Sequence, residues 1–181
     1  MNFRTDLSIL DQYISGRITK FIFFIIGIIL LSISSKVSIP FFPVPMTLQT
    51  FVVYFIAASM GIVGFYSTLS YVFLGLVGLP IFAAGGGLGY LTSPTFGFLY
   101  GMLIASFIIA YFSKNMFSKS IFKISFSILV AAFVIFLCGL IHLSFFVGIE
   151  KAISLGFIPF VYSESLKILL AITLTYVAIK K

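Results

Sequence analysis

Charge is what this chain has least of. Asp, Glu, Lys and Arg make up 8% of its 181 residues, and none lies between Val37 and Ser113 or between Ile124 and Ile149. Soluble globular proteins carry about 25% charged residues, so an ordinary water-exposed surface is excluded. Cysteine occurs once, at Cys138, which excludes an intrachain disulfide; within an apolar run it reads as a small core residue. Histidine also occurs once. His142 has no Cys, second His or carboxylate at ligand spacing, so no metal site is expected. The same scarcity removes the Ser–His pairs, paired acids and His/Glu metal motifs that hydrolysis within a membrane needs. No Gly-Lys-Ser/Thr follows the Gly-rich stretch at 85–89, and no G-x-G-x-x-G opens a helix after a strand. This excludes ATP hydrolysis by the chain alone and a dinucleotide site. No catalytic residue and no cofactor is assigned, and the chain is not read as an enzyme.

What remains is mostly apolar: 61% of the residues are hydrophobic, and the mean hydropathy is +1.27. A spanning helix needs about 20 mostly apolar residues, so the uncharged run 37–113 has room for three. The chain reads as an all-α membrane protein, a single integral membrane domain over residues 1–181 with six transmembrane helices. The expected spans are 20–35, then Thr47 to 61–65, 67–79, Ser93–Pro94 to just before Lys114, 124–146 and 159–179. Thr47 is a suitable N-cap, and Ser93 followed by Pro94 is a helix-start signal. Pro40, Pro43 and Pro45 make the stretch after the first span an extended loop. The polar N-terminus (Met1–Lys20) has no small-residue cleavage site, so the first apolar segment is expected to stay as an anchor. No internal repeat of the inverted-transporter kind is visible.

The net charge of +7 fits topology better than nucleic acid, because no basic stripe with interleaved aromatics lies outside the apolar spans. Arg4, Arg17, Lys20, Lys114, Lys119, Lys123, Lys180 and Lys181 fall on one side of the six-span layout. Lys36 and Lys151 fall on the other. By the positive-inside rule both termini are cytoplasmic. Two unusual loops then share the outer side, one Pro-rich after span one and one Gly-rich after span three. Irregular backbone at membrane depth is tolerated where protein covers it or where it lines a cavity. The Gly loop, including Gly86, Gly87 and Gly89 and ending at Tyr90, is therefore a candidate pocket lining. Glycine there allows positive φ and close approach of a ligand. A flexible turn is the plainer reading.

Glu164 and Lys167 stand three apart, so on a helix they share a face. They are the sole charges between Ala152 and Ile179. Either they snorkel to the interface, or they form a polar hook in a greasy pocket. Gln49, beside Thr47 and Thr50 at the outer start of span two, offers amide donors and acceptors; a wetted helix start is the alternative. Phe41, Phe42 and Phe82 lie in the outer loops, as pocket caps or interface anchors.

Three stretches taken together resemble the BioY family of biotin transporters. "IPFFPVPMTLQTF" (39–51) carries the family's P-V-P-x-T-L-Q-T. "GLVGLPIFAAGGGLGYLTSPTFGFLYG" (75–101) carries its G-L-x-G-L-P-x-F, the Gly loop, the Gly-Tyr and the Pro-Thr-x-Gly-aromatic. "PFVYSESLKILLA" (159–171) is similar to its last helix, where an acid precedes a Lys by three. The resemblance implies a six-helix biotin-binding S component of an energy-coupling-factor transporter in the bacterial plasma (inner) membrane. Its outer loops after helices 1 and 3 would close over biotin, the transported substrate. It further implies a transmembrane coupling subunit and paired ATPase subunits as partners, with membrane lipid as solvent, and uptake by reorientation of the whole subunit. Gln49, Gly86, Gly87, Gly89, Tyr90, Glu164 and Lys167 become the ligand-contact candidates. Two departures stand out. Glu164 occupies a position that is usually Asp. The small residues of the first helix (Gly27, Ser32, Ser34, Ser35) are interrupted by Ile28 and Leu31, where the family spaces them four apart to pack on the coupling subunit. An S component for another vitamin and a non-transport membrane assembly protein are the alternatives.

Overall fold

The computed structural model describes residues 16–116 and 120–180. Arg4, Lys119 and Lys181 of the charge count lie outside the described residues. The fold is helical, with seven α-helices among the described residues: α1 (Arg17–Lys36), α2 (Gln49–Met60), α3 (Ile62–Val77), α4 (Phe96–Met116), α5 (Ile121–Val147), α6 (Ile149–Gly156) and α7 (Phe160–Lys180). Between α1 and α2 the chain makes a small antiparallel hairpin, β1 (Ser38–Ile39) and β2 (Met46–Thr47), in which Ser38 pairs with Thr47 and Ile39 with Met46. Prolines exclude helix here, as expected, and the flanking residues use the freed backbone for a ladder. A 3₁₀ turn, Leu88–Thr92, closes the Gly loop.

Four helices, α1, α4, α5 and α7, are long and apolar enough to cross a membrane by length and composition. α2 has 12 residues and α3 has 16. At 1.5 Å per residue they reach about 18 and 24 Å, short of the roughly 30 Å hydrocarbon layer. They are separate because Gly61, at φ 56°, sits between them in a conformation that favours glycine. α2 is the centre of the bundle. Ten of its residues are buried, and it packs on α1, α3, α4 and α7.

Two expected helix starts differ in detail. Thr47 lies in β2, Leu48 takes the N-cap position of α2, and the Thr47 hydroxyl accepts the Gln49 amide at 3.4 Å. α4 opens at Phe96, after a turn in which the Phe96 amide donates to Ser93 O at 3.1 Å. The expected connection at 147–157 contains α6. Gly148 at φ 80° breaks the chain direction, and Ala152 and Gly156 are buried on the same face. A Cβ at Gly156 would meet Leu143 and Leu140 of α5, so the short helix is held by close packing.

α4 and α5 also approach closely through small residues: a Cβ at Gly139 would strike the Phe98 ring, and one at Gly101 would meet Ile135. On α1 the buried face is Gly27, Leu31, Ser34 and Ser35. The small residues of this helix therefore pack inward, Gly27 against Ser67 of α3. The outward face of α1 is Phe21, Ile22, Ile25, Ile29 and Ile33. Phe122, Phe126 and Phe133 on α5 are also exposed.

Candidate functional site

α2, α4 and α7 begin around one cleft. It holds about 520 Å³ of empty space with its mouth included. Its apolar wall comes from α4 (Phe98, Leu99, Met102), α5 (Ile135, Phe136) and Phe160 of α7. The hairpin segment supplies Val44, Pro45 and Thr47, and the Gly loop supplies Ala83 and Tyr90. The polar groups are concentrated at the starts of α2 and α7: Gln49, Thr50, Glu164 and Lys167.

Glu164 is 4% exposed and Lys167 7%. The pair is inside and does not snorkel to an exposed surface. The Lys167 Nζ donates to Glu164 Oε2 at 3.1 Å. Thr50 Oγ1 donates to the same oxygen at 3.0 Å, and the Tyr54 hydroxyl donates to Oε1 at 2.7 Å. A buried carboxylate needs such donors, because its desolvation is otherwise prohibitive. An ammonium has three N–H donors. Among the described residues Lys167 has one hydrogen-bond acceptor, Glu164, which leaves two donors for a ligand.

Gln49 is buried at the same end, with its amide held on both sides. Nε2 donates to the Tyr71 hydroxyl at 2.8 Å, and Oε1 accepts from Thr47 Oγ1 at 3.1 Å. Tyr71 passes the chain on to the carbonyl of Ile81 at 3.0 Å. That carbonyl also receives Ser35 Oγ at 2.6 Å, and the next one, Phe82 O, receives Lys36 Nζ at 2.5 Å. The end of α1 thus clips the start of the Gly loop. Lys36 serves this clip.

The glycines of the loop have separate roles. Gly85 and Gly87 have φ +122° and +98°, positions that strain any residue with a side chain. Gly86 has no room, since a Cβ there would run into Leu79 O. The loop is pinned to α3 by Gly87 N donating to Gly75 O at 2.7 Å. It buries Phe82 between Tyr71 and Tyr90, with ring centroids 5.5 and 4.7 Å away. The cleft lining therefore includes Gln49, Tyr90, Glu164 and Lys167 but not Gly86, Gly87 or Gly89; of the three, Gly86 and Gly87 shape the loop that presents Tyr90. Phe82 is a packed core ring, and Phe42 is 91% exposed. His142 sits in a cage of Phe96, Tyr100 and Phe146, with Nε2 3.1 Å from Ser93 O.

Sequence reasoning missed Tyr54 and Tyr71. Thr50 and Tyr54 are one turn apart on α2 and so share a face, which was the available signal. The wall of Phe98, Phe136 and Phe160 had none, because phenylalanine is abundant throughout the chain.

A sequence model described as the BioY family matches residues 6–181. The chain belongs to the BioY family. Among relatives of this BioY-family chain, the biotin transporter BioY of Thermotoga maritima is 37% identical over 150 residues, covering 78% of this chain and 85% of that protein. The probable biotin transporter BioY of Pyrococcus horikoshii is 36% identical over 141 residues, covering 76% and 82%. In three dimensions the BioY-family chain is similar to a solved S-component for biotin from an ECF-type ABC transporter. The TM-score is 0.81 at 22% identity, over 91% of this chain and 93% of that one. At that identity the likeness speaks for the fold.

Proposed function

We propose that this chain takes up biotin across the cell membrane as the biotin-binding S component of an energy-coupling-factor transporter. The observation that carries the reading is the buried Glu164–Lys167 pair at the head of an otherwise apolar cleft. Ligand sites are mostly hydrophobic with a few placed polar groups, and biotin is an apolar ring and chain with a ureido group and a carboxylate. The family and its named biotin transporters supply the substrate. Lys167 and Glu164 contact biotin directly in this reading. Tyr90 and Gln49 border it, and Gly86 and Gly87 set the loop that closes over it, which also carries Gly89.

The proposal extends to topology and partners. α1, α2, α3, α4, α5 and α7 are the six spans. Of these, α2 and α3 are the short ones. Both termini are cytoplasmic, in a bacterial plasma membrane, and the cleft opens outward. The chain has no nucleotide motif, so a coupling subunit and paired ATPases supply the energy. The outward α1 face of Phe21, Ile22, Ile25 and Ile29 is bulky, so any docking through α1 uses large apolar side chains.

The test is uptake of labelled biotin by biotin-auxotrophic cells expressing the chain with a coupling subunit and ATPases. Saturable uptake above the empty-vector control is expected. Uptake no greater than the control, with the protein present in the membrane, would contradict the proposal.

A further inference from the structure

Glu164 and Lys167 lie 3.1 Å apart, so they meet the same end of any ligand. In biotin the ureido ring and the carboxylate are at opposite ends of the molecule, and the pair serves one of them. Charge decides which. The pair is neutral as a whole. An anion brought to Lys167 would have to share it with Glu164 and would place two carboxylates beside each other out of water, which is disfavoured. A ureido group brings no charge. Its carbonyl would accept one of the two Lys167 donors that Glu164 leaves unengaged. One of its N–H groups reaches Glu164 Oε1, which among the described residues accepts from Tyr54 and has a second lone pair free.

Away from the pair, the cleft lining has no cationic side chain to hold an anion. Lys167 is the one Lys or Arg in its lining, and no Lys or Arg occurs from Val37 to Ser113. Lys36, at the nearby end of α1, donates to Phe82 O. The walls facing a ligand tail are Phe98, Leu99, Met102 and Ile135.

We propose that this cleft reads its ligand by the ring and leaves the tail carboxylate without a cationic partner, so that neutral biotin amides and esters are ligands alongside the acid. The proposal rests on the biotin reading above. The test is competition against tritiated biotin by unlabelled biotin, its primary amide and its methyl ester, on the wild-type chain and on Lys167→Met. On wild type, the amide and ester should compete within about tenfold of the acid. Lys167→Met should weaken the acid and the amide by the same factor, because the lysine touches the group they share. A preference for the acid over the amide above about tenfold would overturn the proposal while leaving biotin as the ligand, as would a Lys167→Met loss confined to the acid. If Lys167→Met does not fold, the wild-type ranking decides alone. No binding of tritiated biotin to folded wild type would overturn the biotin reading and this proposal with it.

Discussion

A carboxylate taken out of water is stable only among donors, and Glu164 gathers three, from Lys167, Thr50 and Tyr54. Removing one charge of such a pair leaves the other uncompensated, which typically costs about 2–5 kcal/mol in binding. Glu164→Gln and Lys167→Ala should each weaken biotin binding on this scale, read by titration calorimetry; unchanged affinity in both would remove the pair from the site. Hydrogen bonds to charged groups contribute about 1.5–3 kcal/mol, so Tyr54→Phe should weaken binding by less than Glu164→Gln does. The Glu164–Lys167 face was legible in the sequence because its spacing is local. Its partners were not, because Thr50 and Tyr54 are 114 and 110 residues away in the chain, and only the tertiary fold brings α2 against α7. The glycines make a similar point. Their cluster was legible, but not which of them is constrained. Gly86→Ala should impair binding, since its Cβ has no space beside Leu79 O. Gly89 has open space and no positive φ, so its place in the loop needs no glycine, and Gly89→Ala should leave affinity unchanged. Equal effects at the two positions would mean that the loop is loose.

Helices set the loops, and α1 does so by direct contact. Ser35 and Lys36 hold the carbonyls of Ile81 and Phe82, and the chain Thr47–Gln49–Tyr71 reaches the first of these carbonyls from the cleft side. Opening the Gly loop therefore breaks bonds to the last turn of α1. Lys36→Met should speed biotin dissociation more than it slows association, measured by stopped-flow or filter-binding chase. An unchanged off-rate would mean the clip is incidental. At this scale the sequence was informative where a run was long: α1, α5 and α7 fall close to the expected spans. It was less so at the short elements. The α2–α3 break follows from the conformation of Gly61, which composition does not reveal. α6 has eight residues and forms by packing on α5, since so short a helix has little stability of its own.

Over the whole molecule, the exposed apolar side chains of α1 and α5 fit the proposed spans. Among the described residues four helices meet the length and hydropathy of a span, and the short α2 forms the buried centre of the bundle. Under the proposed topology, a cysteine introduced at exposed Phe42 should react with an impermeant thiol reagent added to intact cells, on a background with Cys138→Ala. A cysteine placed at Gly16, before α1, should react only after the membrane is opened. The reverse pattern would invert the orientation. The central claim is that the Glu164–Lys167 cleft is a biotin site. Its most direct test is equilibrium binding of labelled biotin to the purified chain in nanodiscs, with thiamine and riboflavin as competitors. Saturable binding is predicted, displaced by unlabelled biotin and by neither of the others. Absence of biotin binding to the folded protein, or displacement by thiamine or riboflavin, would contradict it.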